Sequence, residues 1–483
     1  MRAGHLWLAS FLVYPIVGAP LLRARTFRMF GLPTRAVLSG GVGIVLVSWT
    51  MTVFALLRLR WGPLVVLVAA AVAFVLRLLL AGEEHQAIPS PRAAAGEREG
   101  SPLADRKVPA ATEGRILAQR AAGGEGEGRS SRAITLLAWV LTALSLIAAL
   151  AATVSGASTS ADLLLFWGPK AQQFAAARTI DANFLGAPFL EYLHVYYPPL
   201  VTSVWALGAM IAGRFPWGAA TLTFPLLLAA TAIGLAGILK TQTGRAPAAA
   251  TTALVTSAIA LVGIRALIPG NAEPFLLFFE ILAVALLLTP ASTTTGGRLL
   301  AGLFLAGAAT SKVEGLPFVL AAVVLYALID RKDFLRLVKT VLALIGPTLV
   351  ALGAWFAFGE ARGLFRGYRG YGEVLAVRWE NLGTIMAAIG SALWKTGYAL
   401  PWLVPLAVMI FAPPRSRRVL LPIGTALVLG GFLLFTYLTT AGDPTQLIGW
   451  SAARVFSPLT AFFALAAFSS RESRPDTPPP SPY

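Results

Sequence analysis

Between residues 158 and 200 the chain reads STSADLLLFWGPKAQQFAAARTIDANFLGAPFLEYLHVYYPPL. Asp162, Lys170, Arg178, Asp181, Glu191 and His194 sit there among aromatics and prolines, although the chain is 57% hydrophobic and only 13% charged. A carboxylate can take a proton from a hydroxyl, and cations can steady an anionic leaving group. Asp162 stands just past the end of an apolar run. Other ionisable side chains stand at the edges of apolar runs: Glu273 ahead of Pro274, Lys312 and Glu314 in a tight reversal, and Arg454 beside Val455 and Phe456. Charges at membrane depth are costly, so each is a functional candidate.

Each residue also has a structural reading. Asp162 can cap the helix that begins LLLFWGPKA. Lys170 and Arg178 can reach lipid phosphates along their apolar stems. Trp167, Tyr192, Tyr196 and Tyr197 suit an interfacial aromatic belt. Asp181 fits a solvated loop, and Lys312 and Glu314 can simply pair with each other. Glu273 is a first-turn acid favoured by the helix dipole. His194 has no second histidine nearby, so a metal-ligand role has little to stand on. What favours function is that these outliers are expected on one face.

The elements that must position them are membrane helices. The chain has 483 residues and a mean hydropathy of +0.73, with apolar stretches near the length that crosses a hydrocarbon core of about 30 Å. Runs at 5–22, 36–57, 62–80, 133–154, 219–239, 248–267, 274–288, 299–310, 316–329, 335–358, 385–411, 419–439 and 452–468 predict an all-α polytopic protein of about thirteen spans. The run 201–213 is short and is followed by Arg214-Phe215-Pro216-Trp217. It is expected to be re-entrant or shallow, which keeps the loop charges consistent with alternating sides. Cysteine is absent, which excludes disulfides and thiolate chemistry, and the three histidines leave little for a His-built metal site. The formal charge of +17 lies in loops between spans, where it fits inward-facing loops and anionic lipid rather than nucleic acid.

Arg23, Arg25, Arg28 and Arg35 place the first loop in the cytoplasm, and Arg331-Lys332 and Arg415-Arg417-Arg418 do the same for later turns. The loop after residue 154 then faces the periplasm or cell exterior of a bacterial inner or plasma membrane. Residues 1–81 form an N-terminal extension of three spans. Residues 82–132, rich in Gly, Ala, Glu and Arg, read as a disordered cytoplasmic linker. Residues 133–468 form the main membrane domain, and 469–483 a cytoplasmic tail. No cleavable signal peptide is evident.

An acid directly after a span, then FWGPKA, then a loop closing on YPPL resembles the first outer loop of GT-C-type glycosyltransferases. Within these it is similar to the protein O-mannosyltransferase and aminoarabinose transferase superfamily (glycosyltransferase family 39-like). Gly270-Asn271-Ala272-Glu273-Pro274 stands where relatives carry a second acid. Gly302, Gly307, Thr310, Lys312 and Gly315 match their small-residue reversal. The resemblance runs from about residue 133 to 468. It departs from the family at Asp162, which stands beside Ala161 and Leu163 where many relatives have an acidic pair; that weakens a divalent-metal version.

The resemblance implies a GT-C-like core with amphipathic helices in the first outer loop. It implies an inverting transferase moving a sugar from a polyprenyl phosphate to a glycan, lipid or protein acceptor. Asp162 would be the base. Lys170, Lys312 and Arg454 would hold the donor phosphate, and Glu191, His194, Tyr197, Glu273 and Glu314 would position substrate. A multi-pass transporter or lipid-linked-glycan flippase, another outer-loop glycan enzyme, and a non-catalytic subunit are the alternatives.

Overall fold

The computed structural model describes residues 2–24, 27–86, 110–157, 159–187, 193–330, 334–365, 377–395, 399–411, 417–440 and 443–469. Every regular element among them is helical. The first five helices are α1 (Arg2–Ser10), α2 (Val13–Leu22), α3 (Leu32–Leu56), α4 (Pro63–Gln86) and α5 (Ala110–Val154). A π-turn at Leu163–Trp167 leads into α6 (Gly168–Ala177), followed by α7 (Leu200–Ala212), α8 (Thr223–Thr243) and α9 (Arg245–Arg265). Then come α10 (Glu273–Leu288), α11 (Thr295–Ser311), α12 (Gly315–Ile329), α13 (Phe334–Ala361), α14 (Leu382–Lys395) and α15 (Ala399–Phe411). The chain closes with α16 (Leu420–Leu438), α17 (Pro444–Val455) and α18 (Ser457–Ser469).

Nine helices or helix pairs among the described residues are long and apolar enough to cross a membrane, so the chain is a polytopic membrane protein by its helices. The expected runs at 274–288, 299–310 and 316–329 form helices of 16, 17 and 15 residues. At 1.5 Å per residue these are roughly 22–26 Å long, less than a full hydrocarbon core. The run at 201–213 becomes the 13-residue α7, shorter still.

The sequence of α10, EPFLLFFEILAVALLL, is apolar all round, and such a helix belongs inside a bundle. All sixteen of its residues are buried. It packs against α8, α11, α12 and α18. The Ser131–Val154 part of α5 does the opposite: Leu136, Leu137 and Ile147 are largely exposed, as suits a lipid-facing surface. At the α2–α3 crossing, backbone lies directly on Gly18 and Gly43. A β-carbon at either would run into the carbonyl of Ser39 or Tyr14.

The helix α5 begins at Ala110, inside the stretch expected to be linker, and runs on into the fourth span. Once the apolar span is helical, each added residue only propagates the helix and avoids the costly nucleus; residues 87–109 lie outside the described residues. Two expectations need correction. The expected span 385–411 is two helices, α14 and α15. The first buries only Ile385 and Ile389, one helical stripe, and packs on α17, whereas α15 packs on α18. Pro401 stands in the first turn of α15, where its missing N–H costs no helical hydrogen bond; residues 396–398 lie outside the described residues. The last expected span, 452–468, begins instead at Pro444, capped by Asp443, whose side chain accepts from the Thr445 N–H. It breaks at Phe456, because Pro458 cannot supply the N–H that would continue α17.

Candidate active site

The site grows from two turns that meet. Ser160 N–H donates to the carbonyl of Pro269 at 2.8 Å, tying the approach to Asp162 to the turn between α9 and α10. In that turn Gly270 adopts φ +87°, and a β-carbon there would lie 2.8 Å from the Leu163 β-carbon. Only glycine accepts both demands. The conformation delivers Asn271, which is buried. Its Oδ1 accepts from Trp167 Nε1 at 3.1 Å and from the Ala272 N–H at 2.8 Å. With the oxygen occupied by donors, Nδ2 faces Asp162 Oδ2 at 2.8 Å.

Asp162 therefore does not cap the turn that follows it, which carries no side-chain cap bond. Its Oδ2 also takes Arg454 Nη1 at 3.2 Å, while the carboxylate keeps 45% of its surface exposed. The π-turn explains the aromatic wall beside it. Pro169 lacks an N–H, and the Gly168 N–H reaches back five residues to the Leu163 carbonyl. Phe166 and Trp167 thereby both turn inward and are buried. Phe166 makes edge contacts with Trp167, His194 and Tyr197, and Tyr196 stacks on Tyr197.

Behind Asp162 lies an ion cluster. Lys312 Nζ is 3.1 Å from Glu273 Oε1 and 3.0 Å from Glu314 Oε1, and Arg454 Nη1 is 3.8 Å from Glu273 Oε1. Lys312 comes from the reversal between α11 and α12, Glu273 from the first turn of α10, and Arg454 from the last turn of α17. The breaks already described put these charges at helix ends, where backbone turns can hold them. Asp162, Lys312, Glu314, His194, Tyr197 and Arg454 share one cavity of about 670 Å³. Its far side is built from α16 and α17, including the partly exposed Phe435 and the exposed Trp450. A second cavity of about 710 Å³ meets the first at Asp162, Trp450 and Arg454 and carries Arg265 and Lys395.

Lys170 lies elsewhere. It is buried, donates to the Leu193 carbonyl at 3.0 Å, and sits 3.7 Å over the Phe166 ring and 4.7 Å over Trp167. It lines neither cavity and ties α6 to the 193–197 turn; burial pushes its ammonium pKa well down. Arg178 ends α6 in the left-handed region at φ 53°, and its carbonyl accepts from the Trp61 N–H. Asp181 caps the short helix Ala182–Leu185 through the Phe184 N–H and accepts from Gln173. Glu191 and Tyr192 lie outside the described residues.

His194, at φ 48°, bonds Tyr196 through Nδ1 at 3.0 Å. Its ring edge reaches solvent, yet the surrounding aromatics, with nearby Lys170, lower its pKa. Burial, with Glu314 nearby, holds the Tyr197 hydroxyl well above its usual pKa, so it remains an O–H donor. Among the described residues no three His, Cys, Asp or Glu side chains form a group that could hold a metal ion.

Two residues of the cluster escaped the reading of the chain. Asn271 stood inside a quoted motif without a role, though an amide between a glycine turn and an acid is a signal. Glu280, an acid midway along an apolar run, was the plainer one. Comparison with family models, with curated proteins and with solved structures found no match to this chain.

Proposed function

We propose that the chain is a membrane glycosyltransferase that moves a sugar from a polyprenyl phosphate to an acceptor hydroxyl. The observation that carries this reading is the meeting of two cavities at one half-exposed carboxylate, Asp162, with Lys312 and Arg454 beside it. A donor with an apolar tail and an anionic head suits the first cavity, whose α16–α17 side is apolar and whose floor offers Lys312 and Arg454 among the acids they pair with. An acceptor would enter from the second.

In this reading Asp162 takes the proton of the acceptor hydroxyl as that oxygen bonds to the anomeric carbon. The bond from that carbon to the phosphate oxygen breaks in the same step, so the sugar inverts. Asn271 and Arg454 hold Oδ2, leaving Oδ1 without a protein partner among the described residues. Lys312 and Arg454 stabilise the charge gathering on the departing phosphate. Phe166, Tyr197 and Trp450 offer faces on which a sugar ring can rest. The proposed site faces the periplasm or exterior of a bacterial membrane. A GT-C-like core of about thirteen helices belongs to the same proposal.

The test is to incubate purified protein in lipid vesicles with a polyprenyl-phosphate sugar radiolabelled in the sugar and a mixed acceptor extract. Label leaving the lipid for a new product supports the reading. Label that crosses the bilayer still attached to its lipid, with no new product, makes the protein a flippase.

A further inference from the structure

Glu280 lies about two turns inward from Glu273 on the fully buried α10, with none of its surface exposed. Among the described residues neither carboxyl oxygen has a hydrogen-bond partner. Beside it is a chamber of about 10 Å³, room for a single water, lined by Glu273, Glu280, Lys312, Glu314, Arg454 and Ser457 among others. The remaining unpartnered polar atoms of the cluster, Glu273 Oε2, Glu314 Oε2 and Arg454 Nε, belong to residues around the same chamber. A water there would find the two to four polar partners that keep buried water in place.

The charges around it decide what Glu280 holds. Among the described residues Asp162, Glu273 and Glu314 already face only two cations, Lys312 and Arg454. Among the described residues, the cations on or beside the other elements packed on α10 are engaged away from Glu280: Arg418 donates to the Leu288 carbonyl at the far end of α10. Lys240 is in the last turn of α8; Arg298 is in the first turn of α11, engaged with Asp330; α18 carries no ionisable group. Tyr326, on α12, donates its hydroxyl to the Ser292 carbonyl. A bare buried carboxylate costs several kcal/mol, whereas a carboxylic acid brings a donor to a chamber whose walls are mostly acceptors.

We propose that Glu280 is an internal proton site, a neutral acid joined through one water to Glu273 and Glu314, with its proton exchanging through the outer cluster. Its O–H donates to the water, and the water donates to the Oε2 atoms of both carboxylates. That leaves their Oε1 atoms turned to Lys312, making Glu280 a positioning residue for the lysine. The inference does not depend on the transferase reading.

Infrared spectroscopy of the full chain in lipid vesicles tests it without any assay of activity. At neutral pH, where exposed carboxyls are ionised, the wild type should show the C=O stretch of a protonated carboxylic acid. The band should shift down in heavy water, shift down again when glutamate carboxyls carry carbon-13, and vanish in Glu280→Gln. Glu314→Gln should displace it, because the water's other partner changes. No acid band at neutral pH overturns the proposal. So does a band that survives in Glu280→Gln, ignores heavy water, or is unmoved by Glu314→Gln. Isotope labelling keeps the wild-type test decisive even if the Glu280→Gln protein fails to accumulate.

Discussion

At the scale of single residues, the site is a set of charges that satisfy one another before any ligand arrives. Glu273 is almost fully buried and relies on Lys312 and Arg454. Removing one member of a buried pair strands the other, at about 3–5 kcal/mol. Lys312→Met should therefore lower stability by that order in denaturant or thermal unfolding in detergent. Lys312→Met with Glu273→Gln should recover a good part of the loss, since the stranded charge is gone. Lys170 has a different task. Lys170→Met leaves the Leu193 carbonyl without its donor and should cost about 1–3 kcal/mol. It should also loosen the turn that carries His194 and Tyr197, raising proteolysis there.

At the scale of elements, the positions of the charges follow from where helices are forced to stop. Pro169, Gly270 and Pro458 are visible in the sequence as breakers, and each ends or bends a helix beside a charged side chain. The position of Asp162 in the turn that follows α5 and the reversal at Lys312 were legible for that reason. Whether a break falls inside an apolar run was less so. Hydropathy averages over a window and is blind to one proline, which is why 385–411 and 452–468 read as single spans. The partners of Asp162 were illegible for another reason: Asn271 and Arg454 lie 109 and 292 residues away, and no local pattern records such pairing. Gly270→Ala tests the turn directly. The strained φ and the contact with Leu163 should cost about 2 kcal/mol and displace Asn271, so stability and any Asp162-dependent activity should fall together. Arg178→Gly should do the reverse for α6, relieving a left-handed cap and raising stability by about 1 kcal/mol in thermal unfolding.

At the scale of the whole molecule, one bundle separates a lipid-facing surface from a buried centre that holds acids. The apolar composition alone announced membrane helices, and exposed Leu136, Leu137 and Ile147 against the wholly buried α10 show how the bundle divides the two roles. The number of full spans was harder to read, because a 15–17-residue apolar helix in the centre of a bundle looks like a short span in sequence. Acid sensitivity should reflect the loop that closes the site. Burial holds His194 below its ordinary value near 6.5, so the unfolded chain binds a proton that the folded chain resists. Its contribution to stability is complete above about pH 6.5 and is lost as pH falls toward the folded value. The unfolding temperature should drop as pH goes from about 7 to about 5, and drop less in His194→Gln.

The most direct measurement compares wild type and Asp162→Asn in vesicles, following both binding of a polyprenyl-phosphate sugar and release of its label into product. The account predicts that the asparagine protein inserts, binds the donor through Lys312 and Arg454, and transfers no sugar. Transfer at the wild-type rate by Asp162→Asn would contradict it.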